Sequence, residues 1–179
     1  MKKEIKEDLV RNAKWKHKEP TLLIFLYFLL RYPSFRKLID YRLSKMNLWG
    51  GVFRIFTWPT TLYYNLYITS NTKIAGGAIL EHAFSTIINA KSIGKNFHVY
   101  HNVTVGWANG GVPVIGDNVV ICAGAMVIGD VTIGDDVVIG ANAVVIKDVP
   151  SHSVVVGVPA RVVKTRMSQT EEWHSVNCH

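Results

Sequence analysis

Only two cysteines, Cys122 and Cys178, occur among the 179 residues, far apart and in no metal-ligand spacing. That excludes a disulfide framework and makes a reducing cytoplasm the default compartment. No apolar run is long. The longest in the N-terminal part, Thr21 to Leu30, is about half of what a bilayer-spanning helix needs and reads as a buried or interface helix. The start, with Lys2, Lys3, Glu4, Lys6, Glu7 and Asp8, is too charged for a secretory leader. No Gly-x-Ser-x-Gly elbow is present, which disfavours a serine acyl-enzyme. Histidines and carboxylates show no zinc spacing, so no metal is expected. No nucleic-acid-binding motif occurs either, and nucleic acid is not an expected partner.

What is present is a folded composition, 49% apolar and 18% charged, with room for one domain and a modest extension. The net charge of +7 is unevenly placed. Residues 1–54 hold thirteen Lys/Arg against five Asp/Glu, or +8, and residues 55–179 hold seven against eight, or −1. A basic, aromatic-rich segment of this kind suits an anionic surface.

Composition changes near residue 65. Ahead of it Leu22, Leu23, Phe25, Leu26, Leu29 and Leu30 have helical spacing between Pro20 and Pro33. A second amphipathic stretch runs from Phe35 through Leu38, Ile39, Tyr41 and Leu43 to Met46, and Gly50-Gly51 breaks it. Beyond, the chain repeats. Ile115, Ile121, Val127, Ile133, Ile139 and Val145 stand six apart, and the residue four after each (Val119, Ala125, Val131, Val137, Ala143, Val149) is small or β-branched. The same phase runs upstream through Ile93, Val99 and Val105, with Phe97 and Val103 second. A weaker copy has Ile74 and Leu80, with Ala78 and Phe84 second. Between Leu80 and Ile93 the phase slips by one residue.

A period of six fits neither a helix nor an alternating strand. It makes one flat side of a triangular coil, three units to the turn, and each coil buries its apolar side only by stacking on its neighbours. The aliphatic leader points inward; the small residue lies at a corner, where Gly, Asn or Asp accommodates the tight turn. The predicted fold is mainly β: a left-handed parallel β-helix over residues 66–165 behind a helical, basic region, residues 1–65. A polar tail, residues 166–179, is expected to be mobile from Met167 onward. Val105 and Ile115 are ten apart, so Gly106-Trp107-Ala108-Asn109-Gly110-Gly111-Val112-Pro113 must leave the coil as a loop, a natural wall for a ligand.

Three histidines, His82, His98 and His101, fall in the repeat. An imidazole can take the proton of a hydroxyl attacking a thioester, and beyond that the chemistry needs only a bound acyl donor and donors for the oxyanion.

Certain stretches are more specific. They are Ile79-Leu80-Glu81-His82-Ala83, Val103-Thr104-Val105-Gly106, Ile121-Cys122-Ala123-Gly124-Ala125, the run from Ile139 to Pro150, and Val156-Gly157-Val158-Pro159-Ala160-Arg161. Over about residues 68–165 the chain resembles the serine acetyltransferase branch of the hexapeptide-repeat acyltransferases. The resemblance implies a homotrimer with acetyl-CoA in the cleft between adjacent β-helices. It implies His82 as general base; His101, from the residues themselves, is the reserve candidate as a second base or an orienting partner. The resemblance places CoA against Ala123, Gly124, Ala141, Lys147, Ala160 and Arg161, to which the loop adds Gly106 and Trp107. Lys147 and Arg161 are suited to the CoA phosphates.

Two departures bear on the acceptor. The family's Asp-Ile-His-Pro, whose Asp orients the base, reads Tyr67-Ile68-Thr69-Ser70 here, and its Arg-His-Pro after the loop reads Gly111-Val112-Pro113. The groups that recognise an amino acid are thus absent, while the CoA half is intact. The pattern is closer to related enzymes that acetylate sugars in surface polysaccharide assembly. The expected acceptor is therefore a free or carrier-linked sugar, in the cytoplasm; a solvated helical surface explains most of the charge of residues 1–54, and peripheral contact with the inner face of the membrane is the alternative for them. Serine O-acetylation in cysteine biosynthesis is the alternative. A non-catalytic scaffold is a third reading, against which His82, Lys147 and the Gly-Val-Pro-Ala-Arg ending weigh.

Overall fold

Inward-pointing aliphatic residues at the repeat positions build a three-sided coil. The computed structural model describes residues 3–45, 65–108 and 110–176; the Gly50-Gly51 break, Met46, Asn109 and Cys178 lie outside them. The first face pairs strands Leu66–Ile68, Thr86–Ile88, Thr104–Gly106, Met126–Ile128 and Val144–Val145 in parallel. The second pairs Lys73–Ile74, Ser92–Ile93, Val114–Ile115 and Thr132–Ile133. The third runs through Ile79–Leu80, His98–Val99, Val120–Ile121, Val138–Ile139 and Ser153–Val156. This is the left-handed parallel β-helix that the period requires.

Leaders stack in columns, as Leu80, Val99, Ile121, Ile139 and Val155 do on the third face, and nearly all are excluded from solvent. Second apolar positions also point inward: Phe97, Val103, Val119, Ala125, Val137 and Ala143 are fully buried. Phe84 is the exception. The leaders Leu80 and Ile88 are eight positions apart and Ile88 and Ile93 only five, so the slip resolves into an enlarged corner after Leu80. Ala83 fills the core there, and Phe84 is displaced to the surface.

Three helices cover one end of the coil: α1 (Lys3–Trp15), α2 (Leu22–Arg31) and α3 (Pro33–Ser44). Thr21 caps α2 by accepting from the Ile24 N–H, and Pro33 occupies the first turn of α3, where its missing N–H costs nothing. Ile5, Leu9, Ala13, Phe28, Phe35 and Ile39 form a core between the helices, and Leu38 and Tyr41 join the core of the coil. Asp8 of α1 is fully buried, accepting from Arg42 Nε at 2.9 Å and Arg42 Nη2 at 3.1 Å, and from the Ala78 N–H at 2.9 Å. Arg42 also donates to the carbonyls of Ile74 and Ala75. Burial raises the Asp8 carboxyl above its ordinary range, against the opposing pull of Arg42.

The tail differs from expectation up to residue 176. Arg161–Thr165 turns back antiparallel on Ser153–Val156, and His174–Ser175 adds beside it. Arg166 forms a two-pronged ion pair with the buried Asp136, which also meets His152 Nδ1 at 2.9 Å, and Trp173 stacks on the guanidinium at 4.0 Å. A polar sequence is held here by one buried carboxylate.

Candidate functional site

Two edges of the coil collect the residues singled out in the sequence. On the edge between the third and first faces stand His82, His101, Ala123, Gly124 and Ala141, each following the leader of its own coil. The Gly124 N–H donates to the His101 carbonyl, the Asn142 N–H to that of Ala123, and the Ala160 N–H to that of Val144, bringing Ala160 and Arg161 to the same edge. On the edge between the first and second faces stand Gly106, Trp107 and Lys147, which follow Val105 and Val145. The first face separates the two groups within one chain.

The enlarged corner after Leu80 presents His82. Its backbone is left-handed, with φ of 47°, as is that of Ser85 with φ of 51°, and its side chain is 70% exposed. His82 Nε2 lies 3.5 Å from Glu81 Oε1. Glu81 is itself anchored by the end of α1 and the residue after it: Trp15 Nε1 donates to Oε2 at 2.7 Å and Lys16 Nζ to Oε1 at 2.8 Å. Burial tends to raise the Glu81 carboxyl, but Lys16, Trp15 and His82 outweigh it and hold it below its ordinary value. Glu81 escapes a reading by motif, yet it is the only Asp or Glu between Asp40 and Asp117. Its anchoring residues at the end of α1 and just after it leave no signal in the repeat.

His101 stacks on Phe84, ring centres 5.0 Å apart and planes 13° from parallel. The displaced Phe84 thus joins two histidine-bearing turns. His98 is different: it lies on the third face, 4% exposed, between the edge of Trp15 and the stacked ring of Tyr100. Burial, aided by the Arg11 charge, lowers it to about 4, so it is neutral at physiological pH.

A cavity of about 360 Å³ opens beside His82 and Glu81, walled by Phe28, Tyr32, Leu80 and Phe84, with Lys16 and Arg31 at its margin. The small-residue edge also fits a long, thin acyl-donor arm. Ala123, Gly124 and Ala141 project at most a methyl group, and Arg161 is exposed with Nη1 on the Ala160 carbonyl at 3.0 Å. Gly124 has a left-handed backbone, with φ of 74°, and a Cβ there would displace the Asn142 amide, 2.1 Å away. Gly106 is not confined in this way, because the nearest neighbour of a Cβ would lie at 3.7 Å. The loop is pinched by reciprocal bonds between Ala108 and Gly111 and holds Trp107 66% exposed. Tyr67 is exposed on the first face. Among the described residues, no group of three or more His, Cys, Asp or Glu is placed to hold a metal ion.

Residues 113–147 of the coil match the family described as bacterial transferase hexapeptide (six repeats). Particular relatives narrow the likeness. A serine acetyltransferase from Staphylococcus xylosus is 38% identical over 116 residues, 62% of this chain and 54% of the relative. One from Staphylococcus epidermidis is 34% identical over 132 residues, 71% of this chain and 62% of the relative. The crystal structure of Neisseria gonorrhoeae serine acetyltransferase in complex with serine superposes with a TM-score of 0.69 at 28% identity, covering 89% of this chain and 67% of that one. The chain spans just over half the length of the first of these relatives. None of the three carries a name pointing to sugars.

Proposed function

We propose that this chain is an acetyl-CoA-dependent O-acetyltransferase with His82 as general base. The observation that carries the reading is one edge of the coil on which His82, His101, Ala123, Gly124, Ala141 and Ala160 stand in register. A hydroxyl bound in the cavity against Phe28 and Tyr32 gives its proton to the His82 imidazole as its oxygen attacks the thioester carbon. The carbon–sulfur bond then breaks, and the imidazole returns the proton to the departing thiolate. Glu81 stabilises the imidazolium formed between these events. Lys147 and Arg161 are the cations suited to the CoA phosphates.

The working unit in this reading is a homotrimer. His82 and the Trp107–Lys147 group lie on opposite margins of the first face, so one copy's base can meet another copy's loop. The outward row Tyr67, Ile87, Thr104, Met126, Val144 on that face is mostly apolar, as a contact surface requires.

For the acceptor, the relatives' names favour L-serine over the sugar expected from the departures. Lys16, Arg31 and Glu81 supply charges of both signs beside the cavity, which suits a zwitterion. A sugar hydroxyl is the second reading, supported by the loop's close on Gly111-Val112-Pro113 without a cation or imidazole. A panel of L-serine, nucleotide-linked sugars and lipid-linked sugars, each incubated with acetyl-CoA and read by mass spectrometry, separates them. O-Acetylserine as the dominant product is the expected result; an acetylated sugar with unreacted serine would select the second reading.

A further inference from the structure

Helix α2 is apolar on both sides, though among the described residues only one side is covered. Phe28 packs inward with its ring 5.4 Å from Phe35, and Ile24, Phe25 and Leu29 lie against the same helical core. The opposite side presents Leu22, Leu23, Leu26, Tyr27 and Leu30 to solvent, with Leu23 and Leu30 77% and 82% exposed. These residues stand at i, i+1, i+4, i+5 and i+8, one continuous stripe along the helix.

Charge chooses the occupant of this stripe. From Leu22 to Arg31 the helix contains no acid. Lys18, exposed, lies with its Nζ 5.5 Å from the Tyr27 ring centre, and exposed Arg31 follows Leu30 at the other end; the acid nearest in sequence, Glu19, precedes Pro20. A second copy of the helix paired about a two-fold axis would set Lys18 against the partner's cationic end, like charge on like. An anionic lipid surface meets both cations and accepts the leucines. The helix is about 15 Å long, half a hydrocarbon core, so it lies in the interfacial plane and does not span. Among the described residues no helix is long and apolar enough to cross a membrane.

We propose that the Leu22–Leu30 face of α2, with Lys18 and Arg31, docks this protein on an anionic bilayer. Phe28 and Arg31 of the same helix line the cavity beside His82, so that cavity lies on the inward side of α2, one helix width from the docked face. The proposal goes beyond the acetyl-transfer reading and is tested without donor or acceptor, so either can fail alone.

The test is flotation of the full chain with vesicles of phosphatidylcholine, alone or mixed with phosphatidylglycerol. Wild type is expected to float with the mixed vesicles, less so as salt rises, and to leave pure phosphatidylcholine largely unbound. Leu23→Ser/Leu30→Ser and Lys18→Glu/Arg31→Glu are each expected to weaken binding at least about tenfold, with unchanged circular dichroism. Absence of wild-type binding at low salt, or full retention by both variants, would overturn the proposal. So would a drop in the solution mass of the leucine variant without any vesicle binding by wild type, which would assign the stripe to contact between copies.

Discussion

His98 shows how a single side chain can be misplaced by a one-dimensional reading. In the repeat it counts as one of three histidines available for proton transfer, but its ring sits beneath Trp15, and its Nε2 has no hydrogen-bond partner among the described residues. Its neutral form is therefore the one the fold accepts. The folded value is about 4 and the ordinary value 6.5, so between these the unfolded chain binds the proton and the folded chain does not. Stability from this site is complete above pH 6.5 and falls as pH drops toward 4. From pH 6.5 to pH 5 the loss is about 1.5 kcal/mol. Unfolding free energies from urea titrations at those two pH values are expected to differ by that amount more in wild type than in His98→Phe; equal pH slopes would refute the assignment. Glu81 is the converse case, an acid kept ionised by Lys16 and Trp15 so that its charge remains beside His82.

At the scale of elements, α1 and α3 are tied to the coil by a buried ion pair, with further bonds from Arg11, Asn12 and Tyr41 to carbonyls of the coil. Asp8 and Arg42 satisfy each other and the backbone of the turn at 74–78, so removing one partner leaves a charge without compensation. Arg42→Ala is expected to destabilise the protein by about 3–5 kcal/mol, read as a lowered urea midpoint. A change below about 1 kcal/mol would mean that the helices are held by their apolar contacts and the bonds of Arg11, Asn12 and Tyr41 without this pair. The coil was legible in the sequence because each hexapeptide repeats one local rule, and a column such as Ile121–Ile139 follows from its period. The helical stretches in Thr21–Leu30 and from Phe35 were readable from apolar spacing. Their docking was not, because Asp8 reaches Arg42 and Ala78 over long sequence separations that no local pattern records. The displaced Phe84, the anchoring of Glu81 and the Arg166–Asp136 clasp escaped for the same reason. His82, His101 and the small residues of the edge were found by motif; their shared edge required the register of the strands.

For the whole molecule, the separation of the two edges is the main consequence of the fold. A lone copy holds His82 on one margin of the first face and Trp107 with Lys147 on the other. In the proposed trimer each cleft takes one margin from each of two copies, and three such contacts close a ring. Light scattering is expected to give three times 20.0 kDa, about 60 kDa. A stable 20.0 kDa species with full activity would show that one margin suffices.

The account rests most heavily on proton transfer at His82, and thiol release from acetyl-CoA with its best acceptor tests that directly. His82→Ala is expected to lower kcat about 10²–10⁴-fold, while CoA still raises the melting temperature of the variant. Acceptor-dependent thiol release by His82→Ala within a fewfold of wild type would contradict it.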